Sequence, residues 1–197
     1  MSQRNFIVCI IALALMHASM LGAAEPPELK YNQTIGKIKL AVPEDPRIRD
    51  YLGLKVKTGQ FGIGQIRPGL LIIQIFNMYC PHCQHYAPRV NEFYKLIQTD
   101  SRLKDRVMLI GIGVGNSPFE VDIYRKKFSV MFPLFDDKGY AVYNTLQDVL
   151  TPHFIGLILD GKGTYRMFYS KNGGFDDPAA FLNEMLKLSA LFPGGIQ

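Results

Sequence analysis

The chain has 197 residues, of which 48% are hydrophobic and 20% charged, so it can bury a core and is too apolar for wholesale disorder. Lys and Arg total 22 against 17 Asp and Glu, a net charge of +5, but the excess is spread thinly and forms no basic stripe of the kind a nucleic-acid groove needs. Three cysteines exclude a disulfide-stapled mini-domain, and two of them stand three residues apart.

Residues 1–24 carry the pattern of a secretory signal peptide. Arg4 is followed by an unbroken apolar run over residues 6–16, then by small residues with Gly22 and Ala24 in the slots before a cut. The alternative is an uncleaved anchor, but residues 6–24, interrupted by His17 and Ser19, fall short of the ~20 apolar residues of a bilayer span. Cys9 lies inside the apolar run and reads as an unreactive passenger. Export, periplasmic or otherwise extracytoplasmic, would place the other two cysteines in an oxidising compartment. Membrane anchoring follows only if residues 6–24 are retained. The remaining chain divides into a polar lead-in (25–36), one domain (37–192) and a short tail (193–197).

Short strands are expected over residues 37–42 and 54–57, with a turn at Thr58-Gly59 and a returning hairpin arm over 60–63. Residues 70–76 form a dense apolar run after Pro68-Gly69, as suits a strand buried on both faces, and 107–114 form a second. Between them, residues 81–98 have helical periodicity, with Tyr86, Val90, Phe93, Tyr94 and Ile97 on one stripe. Ser117-Pro118-Phe119-Glu120 is a capping box with Pro at the first helical position, opening a helix to about residue 130. A strand over 132–135 and a short helix over 140–146 follow. Strands over 154–159 and 164–169 are joined by the turn Asp160-Gly161-Lys162-Gly163, and Asp177-Pro178 caps a last helix. This order specifies an α/β domain with a mixed sheet flanked by helices.

The chemistry sits at Cys80-Pro81-His82-Cys83, where a buried strand ends and a long helix begins. Thiols at i and i+3 on a first helical turn are close enough for an easily exchanged disulfide. Lowering a thiol from ~8.5 to the ~3.5–7 range of such motifs takes roughly 2–6 kcal/mol of thiolate stabilisation. A helix N-terminus supplies ~0.3–1 kcal/mol, up to ~2 in a favourable site. Direct hydrogen bonds and His82 are left to supply the rest. Cys80 is thus the candidate nucleophile and Cys83 the resolving thiol.

The segment Phe76-Asn77-Met78-Tyr79-Cys80-Pro81-His82-Cys83 resembles the active-site strand and helix of thioredoxin-like disulfide oxidoreductases. Pro88 matches the proline inside that family's helix, and Thr151-Pro152 is similar to its cis-proline, which faces the thiols and lines the substrate groove. The hairpin near Thr58-Gly59, an inserted helix-strand ending at Phe132-Pro133-Leu134-Phe135-Asp136 and the turn at 160–163 are similar to the exported TlpA-like branch, which includes reductants of cytochrome c maturation. The Pro-His dipeptide is similar to the oxidising DsbA-like branch. The resemblance spans about residues 37–192. It implies a thioredoxin-like fold with an N-terminal β-hairpin and inserted helix-strand, and thiol:disulfide exchange on protein substrates. Cys80, Pro81, His82, Cys83, Thr151 and Pro152 would carry it without a cofactor, alongside a membrane or soluble redox partner. Two positions depart from the family: Tyr79 stands where many relatives have Trp, and Gln74 where they often carry a buried acid that takes the second thiol's proton.

Rival chemistries fit less well. Cys80, His82, Cys83 and His85, with His153 beside Pro152, offer metal donors, and a thioredoxin-like copper chaperone using Cys80, Cys83 and His153 is the alternative reading. A binding module that kept the fold without the chemistry is a third. Haem attachment needs His directly after the second Cys, where Gln84 stands, and peroxidase chemistry in related folds wants Thr at position 77, where Asn stands. Gly111, Gly113 and Gly115 lack dinucleotide-fingerprint spacing, and Asn32-Gln33-Thr34 is a sequon meaningful only in a eukaryotic secretory pathway. Phe76, Tyr79 and Tyr86 are the candidate aromatic rim around Cys80.

Overall fold

The computed structural model describes residues 35, 36, 38–146, 149–192, 194 and 195; the expected signal peptide and the lead-in as far as residue 34 lie outside them. In chain order the elements are β1 (Lys39–Ala41), α1 (Pro46–Leu52), β2 (Gln60–Gly62), a 3-10 turn (Ile63–Gln65), β3 (Gly69–Phe76), α2 (Pro81–Thr99), β4 (Val107–Val114), α3 (Pro118–Lys127), β5 (Leu134–Asp137), α4 (Ala141–Leu146), β6 (His153–Leu159), β7 (Tyr165–Asn172) and α5 (Pro178–Ala190).

Every residue of β4 and all but the first of β3 are buried, so these strands occupy the middle of the five-stranded sheet, whose order is β5-β4-β3-β6-β7. β3, β4 and β5 run parallel, while β6 lies antiparallel to β3 and β7 antiparallel to β6. Alternation along the strands divides the core in two. Leu70, Ile72 and Phe76 of β3 meet Val90, Phe93 and Ile97 of α2, Val121 and Tyr124 of α3, and Phe181 and Met185 of α5. On the other face Leu71, Ile73 and Ile75 meet Leu52 of α1, Leu40 and Phe61 of the β1–β2 ladder, and Val142 and Leu146 of α4. Each such large apolar side chain contributes about 1.5–3 kcal/mol when fully buried.

The N-terminal hairpin forms from other arms than expected. β1 pairs antiparallel with β2, Leu40 opposite Phe61, whereas residues 54–57 join no ladder; Leu54 and Val56 pack against the second core without strand pairing. Between the arms lies α1, which the sequence pattern did not suggest. It has seven residues with only Leu52 buried, too short to show a periodic stripe, and its signals are local. Asp45 accepts from the Arg47 N–H at 2.8 Å, Pro46 starts the helix, and Gly53 closes it at φ 67°. Several boundaries also move, and β7 runs on to Asn172, three residues past its expected end. α3 ends at Lys127, and β5 begins at Leu134 because the β4 ladder first meets the chain there, leaving Phe132 in the first core.

Candidate active site

β3 delivers the chain to a tight turn that α2 leaves again with Cys80 as its N-cap residue. Pro81 at the first helical position has no N–H to leave unmet. The turn is fixed by its own polar groups. The Cys80 N–H bonds the Asn77 carbonyl at 3.1 Å, and Asn77 Oδ1 accepts the Tyr79 N–H at 2.8 Å while its Nδ2 donates to the Val114 carbonyl at 2.8 Å. Asn116 Oδ1 accepts the Met78 N–H at 2.8 Å, and Gln84 Nε2 donates to the Met78 carbonyl at 2.7 Å. Tyr79 donates its hydroxyl to Glu120 Oε1 at 2.5 Å, and Tyr124 donates to the Cys83 carbonyl at 2.9 Å.

The two thiols are free and differ in environment: Cys80 is half-buried and Cys83 fully buried. Partial burial pushes the Cys80 thiol up. Hydrogen bonds from the Thr151 side chain, the Cys83 N–H and thiol, and the His82 N–H more than offset this and leave it below the ordinary 9.0. Cys80 Sγ also lies 3.2 Å from the Thr151 carbonyl, a bond that only the protonated thiol can donate and that ionisation gives up. Burial, reinforced by the Cys80 sulfur, pushes Cys83 up to about 12. The pair therefore separates into an accessible, acidified thiol and a buried, neutral one.

The Thr151–Pro152 peptide is cis, and Thr151 faces Cys80. The next residue, His153, is turned away from the sulfurs. Its Nδ1 meets Asn172 Oδ1 at 2.7 Å and its Nε2 meets Ser170 Oγ at 2.9 Å, and burial lowers its pKa. Among the described residues no group of three His, Cys, Asp or Glu side chains is placed to hold a metal, so His153 does not complete a set with Cys80 and Cys83. His82 is exposed and its ring makes no hydrogen bond; its backbone N–H, not its imidazole, is what reaches the Cys80 sulfur. His85 is exposed, lies 3.4 Å from Arg89 and packs edge-on against Tyr86 at 5.2 Å. Gln74 lies on the α2-facing side of β3 between Ile72 and Phe76, 1% exposed, with neither carboxamide atom hydrogen-bonded.

Beside Cys80 opens a cleft of about 440 Å³, lined by Asn77, Tyr79, Val114, Tyr140, Tyr143 and Leu150 among others, with no charged side chain among the described residues that line it. Its aromatic rim differs from the one expected. Phe76 is fully buried, stacked on Tyr124 at 4.6 Å, and Tyr86 packs against Gly174. Only Tyr79, 64% exposed, keeps its place, joined by Tyr140, Tyr143 and Leu150 from around α4. The sequence pattern passed over these residues, and over Asn116 and Tyr124. Glu120 was visible there as a capping residue, which it is, accepting from the Ser117 N–H and hydroxyl at 2.7 Å each.

Residues 69–165, which include both thiols and the cis-proline, match the family described as Thioredoxin-like. The fold is thioredoxin-like. Solved structures agree over more of the chain. The MTB dsbF structure is 13% identical with a TM-score of 0.56, covering 79% of this chain and 97% of its own. A secreted Mycobacterium tuberculosis disulfide oxidoreductase homologous to E. coli DsbE is 11% identical with a TM-score of 0.53, covering 78% and 97%. StoA from Bacillus subtilis is 19% identical with a TM-score of 0.50, covering 66% and 90%. No curated protein matches the chain in sequence. Among the described residues no helix of this thioredoxin-like fold is long and apolar enough to cross a membrane.

Proposed function

We propose that the protein is an exported thiol:disulfide oxidoreductase acting on protein substrates through Cys80 and Cys83. The observation that carries this reading is the asymmetry of the two thiols: Cys80 acidified and reachable against the Thr151–Pro152 loop, Cys83 buried one turn below. In the reducing direction the Cys80 thiolate attacks one sulfur of a substrate disulfide, forming a mixed disulfide and releasing the other substrate sulfur as a thiolate. Cys83, giving up its proton, attacks the Cys80 sulfur, forms the Cys80–Cys83 disulfide and releases the second substrate thiolate. Two electrons pass to the substrate, and the released thiolates take up protons. Oxidation of substrate thiols is the reverse.

Pro81 starts the helix whose first-turn N–H groups, that of His82 among them, face the nucleophile. Thr151 and Pro152 offer backbone to the substrate strand, and the aromatic and aliphatic side chains that line the cleft beside Cys80 suit an unfolded segment with apolar side chains. Export is supported by the signal pattern of residues 1–24 and by the secreted mycobacterial neighbour. The N-terminal hairpin and the α3–β5 insertion favour a TlpA-like affiliation, with apocytochrome thiols among the candidate substrates. The metal-chaperone alternative loses its third donor, because both nitrogens of His153 are engaged elsewhere. The test is a Cys83→Ser variant, which should accumulate mixed disulfides with client proteins; a variant that traps none refutes the reading. The reduction potential then assigns the direction, near ~−120 mV for an oxidant and ~−270 mV for a reductant.

A further inference from the structure

The reactive turn is held from outside almost entirely by one stretch of chain. Glu120 and Tyr124 stand four residues apart on one side of α3, and Asn116 lies in its lead-in just before the Ser117 cap. Each grips a successive part of the turn: Asn116 the Met78 N–H, Glu120 the Tyr79 hydroxyl and Tyr124 the Cys83 carbonyl. We infer that these three side chains form a positioning clamp that holds the Cys80–Cys83 turn in register for thiol–disulfide exchange. The inference rests on the proposed oxidoreductase activity and names residues of that same site.

Three features separate the clamp from ordinary packing. Asn116 is fully buried and its Nδ2 has no partner, so its amide carries a desolvation cost for the single bond its Oδ1 accepts from the Met78 N–H. Tyr124 is locked between Phe76 at 4.6 Å and Phe128 at 4.8 Å, which leaves its hydroxyl a single direction in which to point. Glu120 uses one oxygen to cap α3 and the other for Tyr79, so the helix start and the reactive turn are tied through one carboxylate. The consequence reaches Cys80 indirectly. The His82 and Cys83 N–H groups that face its sulfur belong to the turn whose far end Tyr124 holds. Freeing the turn misaims those donors, which disfavours the thiolate.

The test substitutes Tyr124→Phe, which keeps the ring stack, Tyr79→Phe, which removes the donor to Glu120 but leaves the α3 cap, and Asn116→Leu. Thiolate absorbance is titrated in the reduced protein, alongside equilibration with a glutathione couple and thermal unfolding. Each variant is expected to raise the Cys80 pKa by about half to one unit, roughly threefold to tenfold less thiolate below that pH. Lys126→Ala, on the opposite side of α3, should change nothing. If the variants lower only the melting temperature and leave the thiolate curve and potential unchanged, the three residues merely pack and the clamp is refuted. The titration needs no substrate, so failure of the wild type to exchange protein disulfides would overturn the activity and not this inference.

Discussion

Alkylation of the reduced protein should discriminate sharply between the two thiols, and the structure sets by how much. Cys83 ionises near 12 and Cys80 below the ordinary 9.0, so at neutral or mildly acidic pH Cys80 holds at least about a thousandfold more thiolate. A more acidic thiolate is intrinsically a weaker nucleophile, and a Brønsted slope of ~0.4–0.5 returns about 15–30-fold of that advantage. Ionisation alone thus leaves Cys80 favoured by about 30–60-fold. Burial adds to this, because Cys83 has no exposed surface for the reagent to reach. The assay is limiting iodoacetamide between about pH 5 and 8, with the modified residue identified by peptide mass. Cys83 labelling should stay minor throughout and climb about tenfold per pH unit, whereas Cys80 labelling levels off above its own pKa. In a Cys80→Ser variant Cys83 should remain nearly unlabelled at neutral pH, since the burial that raises it persists without its neighbour. Equal labelling, or Cys83 first, refutes the assignment of nucleophile and resolving thiol.

Gln74→Met should stabilise the protein by about 1–3 kcal/mol, read as a higher denaturant midpoint, because it removes a buried carboxamide with no partner; a loss of stability would show that the amide is satisfied. Gln74→Glu should instead speed the resolving step near neutral pH by offering a proton acceptor on the Cys83 side of β3, and identical single-turnover decay of a Cys80 mixed disulfide would refute that. His82→Ala should shift the Cys80 pKa by less than about half a unit, because its ring makes no hydrogen bond; a full unit would assign the stabilisation to the imidazole's charge. The Tyr79 hydroxyl, with the Ser117 N–H and hydroxyl, holds Glu120 down at about 2, below its ordinary 4.5. Its contribution to stability is therefore fully present above 4.5 and lost as pH falls towards 2, so acid unfolding of Glu120→Gln should lack that component, and superimposable curves would refute it.

Much of this fold is written in local pattern. β3 and β4 are continuous apolar runs because both of their faces are covered, and the α3 start is a complete capping box, so each can be read from adjacent residues. The two thiols are equally plain, since their chemistry depends on i, i+3 spacing at a helix start. What the sequence left open was decided by partners far along the chain. α1 shows in the sequence only through its caps, Asp45-Pro46 and Gly53, and the true arms of the hairpin emerge only when Leu40 and Phe61 cover the second face of the sheet, a non-local burial that no period reveals. The roles of Asn116 and Tyr124, thirty-eight and forty-one residues from the groups they bond, depend on α3 packing beside α2. His153 looked like a metal donor by its place next to Pro152, until pairing with β7 gave both its nitrogens to Asn172 and Ser170. Sequence determined which atoms react because reactivity begins with residue type and the adjoining backbone. Tertiary structure decided how far the two thiols separate in acidity and what holds them, because desolvation and hydrogen bonding are set by whatever the fold brings alongside.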